Sequence, residues 1–174
     1  MFPNLSVNWF LAFGTALMWH REKSFVSDDI DIGIFIDDLT HDNKSSKIIP
    51  TMKRFNFKLL YIYGKIDHGQ GWTFTCPVSN IYFGIFVFYP ERINETDTWW
   101  CASYNGRCNK LRYKKCRWRF QPFQLEQITL YEHTFQIVPI SFIEEKYQGQ
   151  KWKIPKKYGY AESLNLSSNL VIEY

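Results

Sequence analysis

Asp29, Ile30 and Asp31 stand in a run, DIDIGIFI over residues 29–36, that reads as a β-strand. Strand side chains alternate between faces, so Asp29 and Asp31 point the same way, with Gly33 and Phe35, while Ile30, Ile32, Ile34 and Ile36 form the opposite face. Two carboxylates so close repel one another and lose hydration when buried. A divalent cation relieves that repulsion. Mg²⁺ favours one or two carboxylates together with substrate phosphate oxygens, and a bound ion can orient a diphosphate and neutralise the charge of a leaving group. The bland alternative is a solvated strand edge, but the isoleucine face seats this strand in a core. Gly14-Thr15 lies fifteen residues before Asp29. A glycine there lets a backbone approach a phosphate closely, the N–H groups of a helix start favour anions, and a threonine hydroxyl can donate to a phosphate oxygen.

Other residue types offer weaker chemistry. Cys101, Cys108 and Cys116 follow a C-x6-C-x7-C spacing, with Cys76 further upstream. Structural zinc sites usually contain a C-x2-4-C knuckle, which is absent, so one or two disulfides are expected ahead of zinc. Cys76 or His133 would be the fourth zinc ligand. Lys110, Arg112, Lys114, Lys115, Arg117 and Arg119 crowd one stretch with Tyr113 and Trp118 between them. No nucleic-acid-binding motif accompanies them, so no nucleic acid partner is expected. His20, His41, His68 and His133 lack ligand spacing. Trp72, Trp99 and Trp100 are expected in the core rather than stacked on a base or sugar ring.

These residues need elements to hold them. Val7, Trp9, Leu11 and Phe13 alternate as a strand that Gly14-Thr15 turns into a helix. After the acidic strand, residues 37–45 are polar, and a helix is predicted over residues 46–55. Strands are predicted over residues 57–66, 72–76 and 80–89; the last is continuously apolar, as in a central strand, and Pro90 ends it. Residues 91–120 read as an irregular basic, cysteine-bearing insertion. Two short strands flank Glu132-His133, a helix covers residues 140–147 with Gly149 near its C-cap, and residues 156–174 form a tail without periodicity. Strands and helices mixed in this way define an α+β domain, a mixed sheet flanked by helices.

With 174 residues, 45% hydrophobic and 19% aromatic, the chain has the size of one domain, residues 1–174, and the composition of a well-packed one. A net charge of +4 creates no strong field. No apolar run approaches the ~18 residues of a membrane helix. Met1-Phe2-Pro3-Asn4 lacks the basic start of a secretory signal, so the domain is expected to be N-terminally truncated. N-x-[ST] triplets at Asn4, Asn43, Asn94 and Asn165 lean toward a secretory lumen.

The run FLAFGTALMWHREKSFVSDDIDIGIFI resembles the opening motif of the LicD/fukutin family, a glycine turn followed by D-x-D, and the likeness continues into IYFGIFVFYPE and FIEEKYQGQKWKIP, from about Trp9 to Pro155. The resemblance implies a nucleotidyltransferase-type fold. It implies a metal-dependent transferase that moves ribitol phosphate, glycerol phosphate or phosphocholine from a CDP-activated donor to a glycan or glycoprotein. Asp29 and Asp31 would be catalytic and hold Mg²⁺ or Mn²⁺, Gly14 and Thr15 would meet donor phosphate, and Arg21 would fork onto the diphosphate. The Golgi lumen is the implied compartment, with the cytoplasm as alternative, and any membrane contact would come through a segment not in this sequence. Relatives also carry a cysteine zinc loop near Cys101–Cys116. Three departures stand out. A third carboxylate is expected on the later strand, where this chain reads Gly84-Ile85-Phe86. The loop from Phe25 to Asp29 is about two residues short, with Asp28 as partial compensation, and the helix before the glycine turn is almost absent. They keep a second reading in view: an inactive relative that binds glycan or a partner.

Overall fold

The computed structural model describes residues 7–25, 27–103, 116–156 and 167–172. Its strands are β1 Trp9–Leu11, β2 Asp29–Phe35, β3 Lys58–Lys65, β4 His68–Thr75, β5 Tyr82–Ile93, β6 Thr96–Ala102, β7 Cys116–Phe120, β8 Glu126–Leu130, β9 His133–Ile137 and β10 Leu170–Ile172. Its helices are α1 Phe13–Glu22, α2 Ile36–Thr40, α3 Ile48–Arg54 and α4 Ile140–Lys146. The strands form a mixed sheet in the order β10-β7-β6-β5-β2-β1-β9-β8, from which β4 and then β3 branch at β5. The domain is α+β, as the element pattern predicts. Among the described residues no helix is long and apolar enough to cross a membrane.

β5 organises the molecule. Its first half runs parallel to β2 and antiparallel to β4, and from Tyr89 onward it pairs with β6 instead. Phe83, Ile85, Val87, Phe88 and Tyr89 are buried, which is the signature of a strand covered on both faces. An aromatic core lies against it. Phe120 and Phe142 stack with ring centroids 4.0 Å apart, and Phe10 and Phe88 meet at 5.2 Å. Gly33 is part of this packing, because a Cβ there would lie 2.2 Å from Phe10 Cε2 and 2.8 Å from Phe88 Cε2.

Several sequence expectations are corrected. Pro90 does not end β5, which continues to Ile93; past Phe88 the strand has β6 on one side only, and an edge position tolerates a residue without an N–H. Residues 91–120 are not an irregular insertion, since β6 and β7 fall within them and pair with each other; residues 104–115 lie outside the described ones. The basic character of β7 hid its alternation: Cys116, Trp118 and Phe120 face the core, while Arg117 and Arg119 clamp Glu91 at 2.7 Å each. Residues 156–174 are not wholly without regular structure, because Leu170–Ile172 pairs with β7. The polar stretch 37–45 is helical, through α2 and a 3-10 turn over His41–Lys47. His68 to Gly71 belong to β4, which is longer than predicted, and β3 is an exposed edge strand.

Gly33→Ala should lower unfolding stability by about 1–3 kcal/mol through overpacking against Phe10 and Phe88. Urea denaturation measures it, and an unchanged midpoint would contradict this account of the core.

Candidate functional site

The parallel register of β2 and β5 sets Asp31 opposite Gly84. The turn into α1 then fastens Asp31 from the other side. The Gly14 N–H donates to Asp31 Oδ2 at 3.1 Å, the Asp31 N–H donates to Thr15 Oγ1 at 2.7 Å, and the Ala12 N–H donates to the Asp31 carbonyl at 3.1 Å. The chain makes this turn through Phe13, whose φ of 44° is unusual for a bulky residue and costs about 1–3 kcal/mol in general. Its ring is gripped by Phe86, Trp118 and Phe142 at centroid distances of 4.7, 5.2 and 5.7 Å. The aromatic core thus holds a strained residue, and the strained residue aims an N–H at a carboxylate.

Gly14 and Thr15 therefore occupy the first turn of α1 and both bond to Asp31, a use that the sequence did not anticipate. The Thr15 hydroxyl is buried and its oxygen accepts a backbone N–H. Asp29 and Asp31 do share a face, Asp29 exposed and Asp31 half-buried. Burial, and then the Asp29 charge, push the Asp31 carboxyl up to about 8, against the Gly14 N–H and the Lys146 charge, which pull it down. Burial, and then Asp28, raise Asp29 as well. A Cβ at Gly84 would lie 2.9 Å from Asp31 Oδ1 and 3.0 Å from Phe86 Cε2, so the Asp31 carboxylate leans over the space that the glycine leaves.

The sequence reading missed Lys146 and Tyr147. Lys146, the last residue of α4, is only 4% exposed. Its Nζ sits 3.9 Å from the centroid of the Trp118 ring and donates to Ser167 Oγ. Burial lowers it to about 7, while Cys101 and Asp31 pull it up. Burial also pushes the Tyr147 hydroxyl up, with Asp31 adding to the shift and Arg21 opposing it. One signal was available: Phe142, Ile143 and Lys146 lie at helical i, i+1, i+4 positions, which turn Lys146 to the buried face.

Arg21 sits at the far end of α1, seven residues from Gly14, or about 10 Å at 1.5 Å per residue. Its Nε and terminal nitrogen both bond Glu22 Oε1, at 2.8 and 2.6 Å. It lines a shallow cleft with Leu17, Tyr147, Lys151 and Trp152. The fold thus brings Gly14, Thr15, Asp29 and Asp31 together and holds Arg21 apart.

Cys116 is disulfide-bonded, whereas Cys101 is a buried free thiol, which corrects the expectation that Cys101 takes part in a disulfide; Cys108 lies outside the described residues. Trp72 and Trp100 are buried and Trp99 packs on Phe35 at 4.4 Å, as expected of core residues. His20 Nε2 bonds the Val138 carbonyl at 2.7 Å and ties α1 to the segment before α4.

Among the described residues, no group of three or more His, Cys, Asp or Glu side chains is arranged to hold a metal ion. Two carboxylates remain, one of them half-buried and held above its ordinary pKa by burial and then by its neighbour. That donor set suits a hard cation that completes its shell with water and substrate oxygens.

Fold and site together define an α+β domain that presents an acidic strand pair to a helix opened by glycine. No protein-family model matches the chain. It is similar, however, to ribitol-5-phosphate transferase FKTN: 31% identical over 158 residues to the Macaca fascicularis protein, 30% over 158 residues to that of Homo sapiens and 30% over 159 residues to that of Mus musculus. The similarity covers 88% of this chain but 31% of each relative, so the chain spans about a third of their length. The relationship is fukutin-like, in agreement with the resemblance carried by the acidic and glycine motifs.

A pH dependence follows from the site. The folded state of the metal-free domain holds a proton on Asp31 up to about pH 8, against an unfolded value near 3.8. That contribution to stability is fully present below the unfolded value and is lost as pH rises through the folded one. The melting temperature in EDTA should therefore fall between pH 5 and 8 relative to Asp31→Asn. Parallel melting curves for the two proteins would contradict the assignment.

Proposed function

We propose that this chain handles the donor in a phospho-alcohol transferase: it binds a CDP-activated polyol phosphate or choline phosphate with Mg²⁺ or Mn²⁺ and passes the phospho-alcohol to a hydroxyl of a glycan or glycoprotein. The observation that carries the reading is the Asp29–Asp31 pair, fastened through Asp31 to the glycine turn of α1. The similarity to ribitol-5-phosphate transferases over most of the chain supports it.

In this reading Asp29 and Asp31 hold the divalent cation. When bound, that ion supplies charge neutralisation on the donor diphosphate. The Gly14 N–H and Thr15 Oγ1 keep Asp31 in place, and Phe13 keeps Gly14 in place. Arg21 and Lys151 line the neighbouring cleft and offer positive charge to the far part of the donor. In the transfer, the acceptor oxygen bonds to the phosphorus that bears the alcohol, and the bond from that phosphorus to the CMP oxygen breaks. CMP departs with the electron pair. The proton of the acceptor hydroxyl passes to Asp29, the exposed member of the pair. In this reading the reaction belongs to protein glycosylation within the secretory pathway.

A second reading rests on Gly84. Opposite Asp31, where a third carboxylate would complete the metal site, there is no side chain. A domain so depleted can retain binding of donor or glycan without turnover.

Calorimetry with CDP-ribitol, CDP-glycerol and CDP-choline in the presence of Mn²⁺, followed by assay of product, separates the two. The transferase reading expects Mn²⁺-dependent donor binding, lost at least tenfold in Asp31→Ala, together with release of CMP. Metal-independent glycan binding without CMP release would support the binding module and overturn the transferase.

Gly84→Asp adds the missing carboxylate. It should raise Mn²⁺ affinity, because it sets a further carboxylate beside Asp31, and the atom nearest the new Cβ, at 2.9 Å, is the end of the movable Asp31 side chain. Unchanged Mn²⁺ affinity would show that position 84 does not face the metal.

A further inference from the structure

We infer that the buried amino group of Lys146 supplies positive charge to the phosphate site in the role a second divalent ion would otherwise fill, so that the acid pair takes a single metal ion. The inference rests on the donor-binding reading above and concerns how that site is charged. Two-metal phosphoryl-transfer sites clamp the attacking and leaving oxygens between two cations, each held by carboxylates. The described residues offer too few ligands for that arrangement. Gly84 removes one carboxylate, and Asp31 leans over the vacated space. One Asp31 oxygen is already engaged by the Gly14 N–H. Asp29 and the remaining Asp31 lone pairs suffice for one ion that shares substrate oxygens.

Lys146 supplies the other charge. It closes α4, where a helix terminus favours a cation, and it lies on the Trp118 ring, which packs on Phe13, the residue before the Gly14 whose N–H holds Asp31. Its partners among the described residues are the face of Trp118, the Ser167 hydroxyl and the π-face of Tyr147, 5.6 Å away, none of them an anion within ion-pairing distance. An ammonium buried without an ion pair is expensive, and a methionine would pack against Trp118 at less cost. A purely structural lysine leaves that expense unexplained. A diphosphate arriving at Asp31 explains it, because the anion then meets one metal ion and one ammonium in place of two metal ions. Lys146 acts by charge and is a positioning residue; it is not assigned contact with the reacting atoms.

Lys146→Met keeps the packing on Trp118 and removes the charge, and Lys146→Gln keeps a donor for Ser167 if the methionine variant fails to fold. Mn²⁺ alone and CDP alone are titrated into the 174-residue chain by calorimetry. The wild type should bind one Mn²⁺ ion, and Asp31→Asn should abolish that binding. The neutral variant should bind Mn²⁺ about tenfold more tightly, since a competing charge is gone, and CDP about tenfold more weakly, the scale on which one nearby charge biases another equilibrium. Opposite movement of the two affinities is the diagnostic result, since a structural lysine would weaken both together. Two Mn²⁺ ions in the wild type, or affinities that move together or stay fixed in the variant, would overturn the inference and leave the donor-binding reading standing. Absence of any Asp31-dependent Mn²⁺ binding would remove both.

Discussion

The hydrogen bond from the Gly14 N–H to the Asp31 carboxylate is the contact on which the site depends. It requires two things of the fold. β2 must run beside β5 in parallel register, which sets Asp31 over a glycine, and the chain must turn sharply between β1 and α1, which forces Phe13 to a positive φ. The aromatic core holds that turn in place. Phe86, Trp118 and Phe142 come from β5, β7 and α4, so three elements distant in sequence converge on the ring of one strained residue. Packing is thereby converted into electrostatics: the energy that holds Phe13 in its conformation also holds a donor against a half-buried acid.

The charges around Asp31 oppose one another. Asp29 and burial oppose its ionisation, while Gly14 and Lys146 favour it. Lys146 is itself opposed by burial. Among the described residues, neither group has an ion-pair partner within 4 Å. Elsewhere the same chain balances its charges directly, as where Arg117 and Arg119 both reach Glu91 at 2.7 Å. The contrast sets the Asp31 region apart from the other described charges.

The acidic strand was legible in the sequence because strand periodicity and apolar flanks agree over Asp29–Phe35. The β8–β9 hairpin and the helix at Ile140 were legible for the same reason. What escaped depended on pairing that no local pattern carries. β7 looked like a basic loop because its arginines are neutralised by a glutamate 26 residues upstream of Arg117. β5 ran past Pro90 because only one side of it is paired there. Thr15 read as a phosphate donor until tertiary structure turned its oxygen to a backbone N–H of β2. Lys146 was hidden among polar residues of a short helix, and its importance lies wholly in burial. Gly84 is the instructive intermediate case: the sequence marked a missing carboxylate, and the sheet register then set that absence directly opposite Asp31.

The central claim is that Asp31 is held protonated near neutrality by its surroundings and gives up its proton to a divalent cation. Carbon-13 NMR of the Asp31 side-chain carboxyl, followed against pH with EDTA and then with Mg²⁺, tests it directly. The account predicts a midpoint near 8 without metal, displaced downward by more than about one pH unit when Mg²⁺ is present. An ordinary carboxylate midpoint near 3.8, unmoved by Mg²⁺, would contradict it.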